Sequence, residues 1–208
     1  MMTNNIAPIL EAALFSTAEP LPVDKLAQLF LEENRPSNAE IRDALSQLKL
    51  SYADHGVELM EVASGYRFQV KTDYAEFIQR LEEKKPARYS RAFLETLALI
   101  AYRQPVTRGE IEDVRGVTVN PHIIKTLMER EWIKIAGYRD VPGKPALFAT
   151  TTLFLDYFNL KNISDLPPLS ELVDFDSLEK QLGLQTSDAM IETTEIDAES
   201  ELESSVMV

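Results

Sequence analysis

The chain has 208 residues, of which 45% are hydrophobic and 26% are charged, with 34 acidic against 21 basic side chains. This composition is typical of a globular protein with one or two domains. No run approaches the ~18 uninterrupted apolar residues that a membrane helix requires, and the N-terminus lacks the basic start of a secretion signal. The chain has no cysteine, which excludes disulfides and thiolate metal sites. We therefore expect a cytoplasmic protein that is not associated with a membrane.

Charge is distributed unevenly along the chain. Residues 1–79 carry twelve acids and six bases, residues 80–163 ten acids and fourteen bases, and residues 164–208 twelve acids and one base. From about Gln185 onward the sequence is also rich in Ser and Thr and has no aromatic residue. Such a segment cannot bury enough apolar surface to fold. We predict a largely disordered acidic tail over residues 164–208.

The body of the chain contains two copies of one pattern. A shift of 85 residues places Glu19-Pro20-Leu21 on Gln104-Pro105-Val106, and other apolar positions align without a gap. Ordered matches of this kind indicate an internal repeat. We predict two tandem domains, residues 1–84 and 85–163, with the boundary at Lys84-Lys85-Pro86 because proline ends the preceding helix.

The first copy is predicted to contain three helices, two strands and a closing helix. Ser37 and Glu40 form a capping box, in which each side chain bonds the free backbone N–H of the other residue, and they begin the third helix. The strands, residues 57–63 and 66–70, are joined by the two-residue turn Ser64-Gly65. Apolar residues at helical spacing define the four helices: Ile6, Ile9, Leu10, Ala13 and Leu14; Leu26, Leu29 and Phe30; Ile41, Ala44, Leu45, Leu48 and Tyr52; Tyr74, Phe77, Ile78 and Leu81.

The second copy repeats this order. Ser90 is placed to cap its first helix, and Thr107 with Glu110 forms a capping box that opens the second helix, which Gly116 ends. Pro121 stands in the first turn of the third helix. Two strands and a closing helix follow, at residues 132–138, 146–150 and 151–159. Three helices backed by a β-hairpin are the winged-helix plan. The predicted fold class is therefore mainly α with small β-hairpin wings, in two tandem winged-helix domains.

Signals for an enzyme are weak. The stretch from Gly137 to Gly143-Lys144 resembles a phosphate-binding loop, but five residues separate the glycines where four are required, and Pro145 replaces the Ser or Thr that would bind magnesium. His55 and His122 lie far apart, and neither has a partner at metal-ligand spacing. We predict a protein without catalytic residues, metal or cofactor.

Binding of DNA is the first alternative, because winged helices often place their third helix in the major groove. Lys125 and Arg130 on that helix and Lys144 on the second wing are the candidate contacts. Glu129 and Glu131 dilute the charge, and a local excess of four positive charges is small for neutralising phosphates. A DNA-binding transcriptional regulator is kept as the alternative function.

Binding of a protein partner is the second alternative, since winged-helix units expose an apolar groove beside the wing. Tyr102, Arg103, Gln104 and Pro105 are the candidate contacts, because Tyr and Arg are favoured at interface hot spots and the segment is a constrained turn. That Tyr102 only packs beneath the wing is an equally open interpretation.

The same segment carries a family resemblance. Six blocks carry the resemblance: residues 93–108 (FLETLALIAYRQPVTR), 110–112 (EIE), 115–117 (RGV), 125–130 (KTLMER), 140–145 (DVPGKP) and 165–172 (DLPPLSEL). Weaker similarity lies at residues 9–15 (ILEAALF) and 65–67 (GYR). Together they resemble the segregation and condensation protein B (ScpB) family over about residues 6–172. Glu131 departs from the family pattern, because glycine is expected there.

The resemblance implies a non-enzymatic subunit of the bacterial SMC–kleisin condensin. It implies two winged-helix domains per chain, a homodimer formed mainly by the first domain, and binding of the central region of the kleisin, segregation and condensation protein A (ScpA). Through the kleisin such a subunit joins SMC at the nucleoid and supports chromosome condensation and segregation during cell division. Contact with DNA is then indirect or weak.

Overall fold

The computed structural model describes residues 6–81 and 89–168. Within these residues there are eight α-helices: α1 Ile6–Phe15, α2 Val23–Ala27, α3 Asn38–Ser51, α4 Ala75–Gln79, α5 Arg91–Arg103, α6 Arg108–Arg115, α7 Pro121–Glu129 and α8 Thr152–Tyr157. The strands are β1 Val57–Val62, β2 Gly65–Val70, β3 Val106–Thr107, β4 Ile133–Tyr138 and β5 Ala146–Thr150. Short 3₁₀ helices lie at Glu32–Asn34, Thr72–Tyr74 and Ile163–Asp165.

Two hydrophobic clusters divide the described residues into a first lobe, residues 6–81, and a second lobe, residues 89–168. The first cluster is formed by Leu10, Leu14, Leu21, Leu26, Ala27, Phe30, Ile41, Ala44, Leu45, Leu48 and Leu59. The second is built around Tyr89, Phe93, Leu97, Ile100, Val106, Ile111, Leu127, Trp132, Phe148 and Phe154. Both lobes run through three helices, a hairpin and a further helix, so the expected mixture of helices with small antiparallel sheets is confirmed.

The hairpin of the first lobe differs from its prediction by one residue. Val62 pairs with Gly65, so the turn consists of Ala63 and Ser64 and not of Ser64 and Gly65. Gly65 belongs to the ladder because the chain at Leu21 crosses beside it: Leu21 and Tyr66 exchange two backbone hydrogen bonds of 2.8 and 2.9 Å. The two-residue length was right and its position was wrong.

The sheet of the second lobe has a strand that periodicity did not reveal. β3 pairs with β5, opposing Val106 to Phe148 and Thr107 to Leu147, and gives the sheet order β3-β5-β4. A two-residue strand is too short to show the alternation by which strands are recognised in a sequence. It ties the chain after α5 directly to the hairpin.

The predicted helix ends are present. Ser37 N donates to the Glu40 carboxylate at 2.8 Å, and Glu40 N donates to Ser37 Oγ at 3.3 Å, which is the reciprocal capping box. Thr107 and Glu110 repeat this arrangement at the start of α6. Hydrogen bonds from the capping residue lower the pKa of both glutamates, the backbone N–H being the larger cause.

The departure at Glu131 has a local explanation. After α7 the backbone of Glu131 adopts a left-handed φ of 55°, a region that glycine enters most readily. The glycine expected from the family pattern suits this turn, and glutamate occupies the same conformation here.

Some predictions fall on residues outside the described ranges. These are the boundary at Lys84-Lys85-Pro86 and the predicted tail beyond Pro168, whereas residues 164–168 of that tail are described and include the end of the 3₁₀ helix Ile163–Asp165 and Leu166 on the second core. Among the residues that the structure describes, no helix is long and apolar enough to cross a membrane. In the same ranges no group of three or more His, Asp or Glu residues is arranged to hold a metal ion.

Candidate partner-binding site

The candidate contacts lie where α5 ends. Ser90 caps the start of this helix by accepting from Phe93 N at 3.3 Å, and a buried face fixes α5 on the second core. That face consists of Phe93, Thr96, Leu97, Ile100 and Ala101. The last turn therefore carries Tyr102 and Arg103 at the edge of the core, just before β3.

Tyr102 binds a segment that follows α8. Its half-buried hydroxyl donates a 2.6 Å hydrogen bond to the carbonyl oxygen of Pro167, 65 residues along the chain. Burial raises the pKa of the Tyr102 hydroxyl above its ordinary value. The partner of this hydroxyl is thus the C-terminal segment and not the β4–β5 hairpin.

A pocket of about 380 Å³ opens at the same place. The end of α5 forms one wall and the segment after α8 forms the other. Its lining residues are Ala101, Tyr102, Gln104, Ile163, Ser164, Leu166, Pro167 and Pro168. Tyr102 lines the pocket and also donates a hydrogen bond to the segment that forms its other wall.

Gln104 serves the interior of the second lobe. Its side-chain oxygen accepts from Thr150 N at 2.6 Å and from Thr150 Oγ1 at 2.9 Å, and its amide nitrogen donates to Ala101 O at 3.2 Å. These bonds hold the end of β5 against the end of α5. Arg103 and Pro105, in contrast, are exposed on either side of Gln104.

The candidate DNA contacts are not equivalent. Arg130 donates to the hydroxyl of Tyr89 at 2.9 Å, and its guanidinium lies 5.0 Å from the Tyr89 ring centre and 5.5 Å from that of Trp132. Lys125 lies 3.7 Å from the carboxylate of Glu129 on the next turn. Lys144 is exposed in the β4–β5 loop. Two of the three cations therefore have partners within the chain, and the DNA-binding alternative gains no support.

A contact between the lobes was not predicted. The buried carboxylate of Asp156 in α8 accepts from Ser64 N at 2.9 Å and from Ser64 Oγ at 2.6 Å. Arg67 donates 2.8 Å hydrogen bonds to the carbonyl of Asp156 and to the side chain of Asn159. We call Ser64, Arg67, Asp156 and Asn159 the lobe joint. The one sequence signal was an acid within the apolar run of the closing helix.

The comparisons with family models and with sequence relatives identify the same family. The family model described as segregation and condensation complex subunit ScpB matches residues 8–169. The chain belongs to this family. The resemblance found in residues 93–108 and the later blocks is thereby confirmed, and the protein is placed among the subunits of the segregation and condensation complex.

Individual relatives are similar over most of the chain. A segregation and condensation protein B homolog from Coxiella burnetii is 61% identical over 177 residues, which cover 85% of each protein. Segregation and condensation protein B from Myxococcus xanthus is 43% identical over 173 residues, 82% of this chain and 51% of that protein. The crystal structure of ScpB from Mycobacterium tuberculosis is 32% identical and covers 74% of this chain and 95% of its own, with a TM-score of 0.34.

Proposed function

We propose that the protein is a non-enzymatic subunit of the SMC–kleisin complex that binds the central region of the kleisin ScpA as a homodimer. In this role it supports chromosome condensation and segregation in the cytoplasm, at the nucleoid. The family match over residues 8–169 carries the proposal. The proposal includes two winged-helix domains, residues 1–84 and 85–163, followed by an acidic tail over 164–208.

The kleisin contact is proposed at the end of α5. Arg103 and Pro105 are exposed there, and Tyr102 lines the adjacent pocket. An exposed arginine next in sequence to a tyrosine that lines a pocket supplies two of the residue types that anchor many protein interfaces. Gln104 contributes indirectly, because its bonds to Thr150 fix the turn on which Arg103 and Pro105 stand.

The dimer contact is proposed on the last helix of the first lobe. Side chains at Tyr74, Phe77, Ile78 and Leu81 are between 40% and 79% exposed. Adjacent exposed apolar side chains of this size mark interaction surfaces more often than isolated ones do. A second copy of the chain would bury this face.

Light scattering tests the two contacts separately. We expect the chain alone to have the mass of a dimer, and a mixture with the central fragment of the cognate kleisin to gain the mass of the bound fragment. Phe77→Asp should yield a monomer, whereas Glu76→Ala, a change at an exposed position on the same helix, should leave the dimer intact.

Charge reversal at the α5 end tests the kleisin contact. Arg103→Glu should lower the affinity for the kleisin fragment about 30-fold, the loss typical of a hot-spot residue. It should not change the mass of the free dimer. Lys125→Glu is the control, since it makes the same charge change on an exposed residue of another helix. Failure of the intact chain to bind the fragment would contradict the proposal, and a duplex affinity falling steeply with salt would favour the DNA-binding alternative.

A further inference from the structure

The segment after α8 crosses from the first lobe to the end of α5. Leu160 O accepts from Ala63 N at 3.0 Å, and Lys161 forms an ion pair with Glu61 in β1. We call residues 160–168 the C-terminal strap. Leu160 also packs on the second core, so both lobes hold the beginning of the strap, and its end reaches Tyr102 in the second lobe.

The middle of the strap is a tight turn. The carboxylate of Asp165 accepts from the backbone N–H groups of Lys161 and Asn162 at 3.1 and 2.9 Å. This closes the short 3₁₀ helix Ile163–Asp165 and directs the following residues across the end of α5.

The last part of the strap has the form of a bound peptide. Leu166 has φ −62° and ψ 137°, close to the polyproline II conformation, and is followed by two prolines whose φ is fixed in the same region. Leu166 packs on the second core, and Pro167 O accepts the Tyr102 hydroxyl at 2.6 Å. An extended proline segment whose carbonyl is bound by an aromatic side chain is how proline-rich peptides are recognised between proteins.

We infer that the end of α5 is a groove for an extended, proline-containing apolar segment, and that Leu166 and Pro167 occupy part of it as an internal ligand. The inference rests on the proposed function for the identity of the competing segment, which is the kleisin. The strap and the kleisin segment then exclude each other at Tyr102. A partner that gains this groove releases Leu166 and Pro167 from the end of α5, while Leu160 and Lys161 keep their contacts with the first lobe.

Competition of this kind lowers the apparent affinity of the partner in proportion to how often the groove is free. If the strap fills the groove for about nine-tenths of the time, its release raises the affinity about tenfold. The full-length double variant Leu166→Asp/Pro167→Gly should release the strap, because it places a charge at the core contact and removes one fixed φ. Pro168→Ala is the control, since Pro168 is exposed and its carbonyl is not the acceptor for Tyr102.

The first measurement is the affinity of the labelled central kleisin fragment for the intact chain, the released variant and the control. We expect about tenfold tighter binding by the released variant and no change for Pro168→Ala. Equal or weaker binding by a released variant that keeps its circular dichroism spectrum would overturn the inference, because the strap would then be a wall of the site and not a competitor.

A second variant keeps the test independent of how the double substitution folds. Tyr102→Phe removes one hydrogen bond from the strap and from the partner alike, so the apparent affinity of the intact chain should barely change. In the released variant the same substitution should lower the affinity for the kleisin fragment about fivefold, which corresponds to the loss of one hydrogen bond. Equal losses in both backgrounds would count against competition at this hydroxyl.

A peptide of residues 160–168, added in trans, separates the groove from the proposed function. The released variant should bind this peptide, and the intact chain should not, because its own strap is present at a high effective concentration. If no protein binds the kleisin fragment but the released variant binds the peptide, the proposed function is wrong and the groove stands. If the released variant does not bind the peptide, the groove is wrong whatever the kleisin does.

Discussion

Tyr66 and Tyr157 have hydroxyl groups whose ionisation the fold opposes. Burial is the first cause at both residues, and a hydrogen bond adds to it, with Glu61 at Tyr66 and with Tyr89 at Tyr157. Together these raise the pKa of each hydroxyl to about 12. Each hydroxyl belongs to a different lobe, so its ionisation reports on that lobe.

An alkaline titration should show this directly. The folded state prefers the protonated hydroxyl, while the unfolded chain loses its proton near pH 10. The associated stability is therefore complete below pH 10 and is lost as the pH rises towards 12. The chain has seven tyrosines, and phenolate absorbance followed against pH records their ionisation. Tyr66→Phe and Tyr157→Phe should each reduce the part of the absorbance change that occurs at the highest pH. If this part were unchanged in both variants, the assignment would be contradicted.

At the scale of the element, Gly65 fixes how the first hairpin meets the rest of its lobe. Its φ is 145°, and a Cβ atom built there would lie 2.3 Å from the backbone carbon and oxygen of Leu21. Real Cβ atoms do not approach backbone this closely, so the bridge between Leu21 and Tyr66 depends on a residue without a side chain.

Two Gly→Ala substitutions should have opposite signs. Gly65→Ala forces the hairpin away from Leu21 and should lower the free energy of unfolding by about 2–4 kcal/mol. Gly109→Ala, in α6 with open space around it, should raise it by about 0.5–1 kcal/mol, since alanine is the better helix former. Chemical denaturation of both variants measures the difference, and a neutral Gly65→Ala would show that the close approach is not required.

A structural feature can be predicted from the sequence when the residues that form it are close together along the chain. The capping boxes at Ser37 and Thr107 join residues three apart, and both were predicted correctly. The hairpin turn was displaced by one residue because the constraint on Gly65 comes from Leu21, which no local pattern records. Tyr102 was singled out as a site residue, but its contact with Pro167 depends on the path of a segment 65 residues away.

At the scale of the whole molecule, the lobe joint connects residues 92 apart in sequence. The Asp156 carboxylate is buried, and it accepts hydrogen bonds from Ser64 N and Ser64 Oγ. Arg67 adds a guanidinium at the C-terminal end of α8, where the carbonyl ends of a helix favour positive charge. The hydrogen bonds among Ser64, Arg67 and Asp156 favour one arrangement of the lobes over others, although the buried Nε of Arg67 has no hydrogen-bond partner among the described residues.

The single tryptophan makes the joint measurable, because Trp132 lies in the core of the second lobe and reports on that lobe alone. Ser64→Ala changes a residue of the first lobe, yet it removes a charge-assisted hydrogen bond to Asp156 in the second. The free energy of unfolding measured by Trp132 fluorescence should therefore fall by about 1.5 kcal/mol. Ser46→Ala is the control, since that hydroxyl bonds Arg42 O on the exposed face of α3. If Ser64→Ala and Ser46→Ala gave the same free energy of unfolding by Trp132 fluorescence, the stability of the second lobe would not depend on the joint. A shift confined to Ser64→Ala, and absent when Asp156 is already alanine, would show that the two lobes share their stability through this carboxylate.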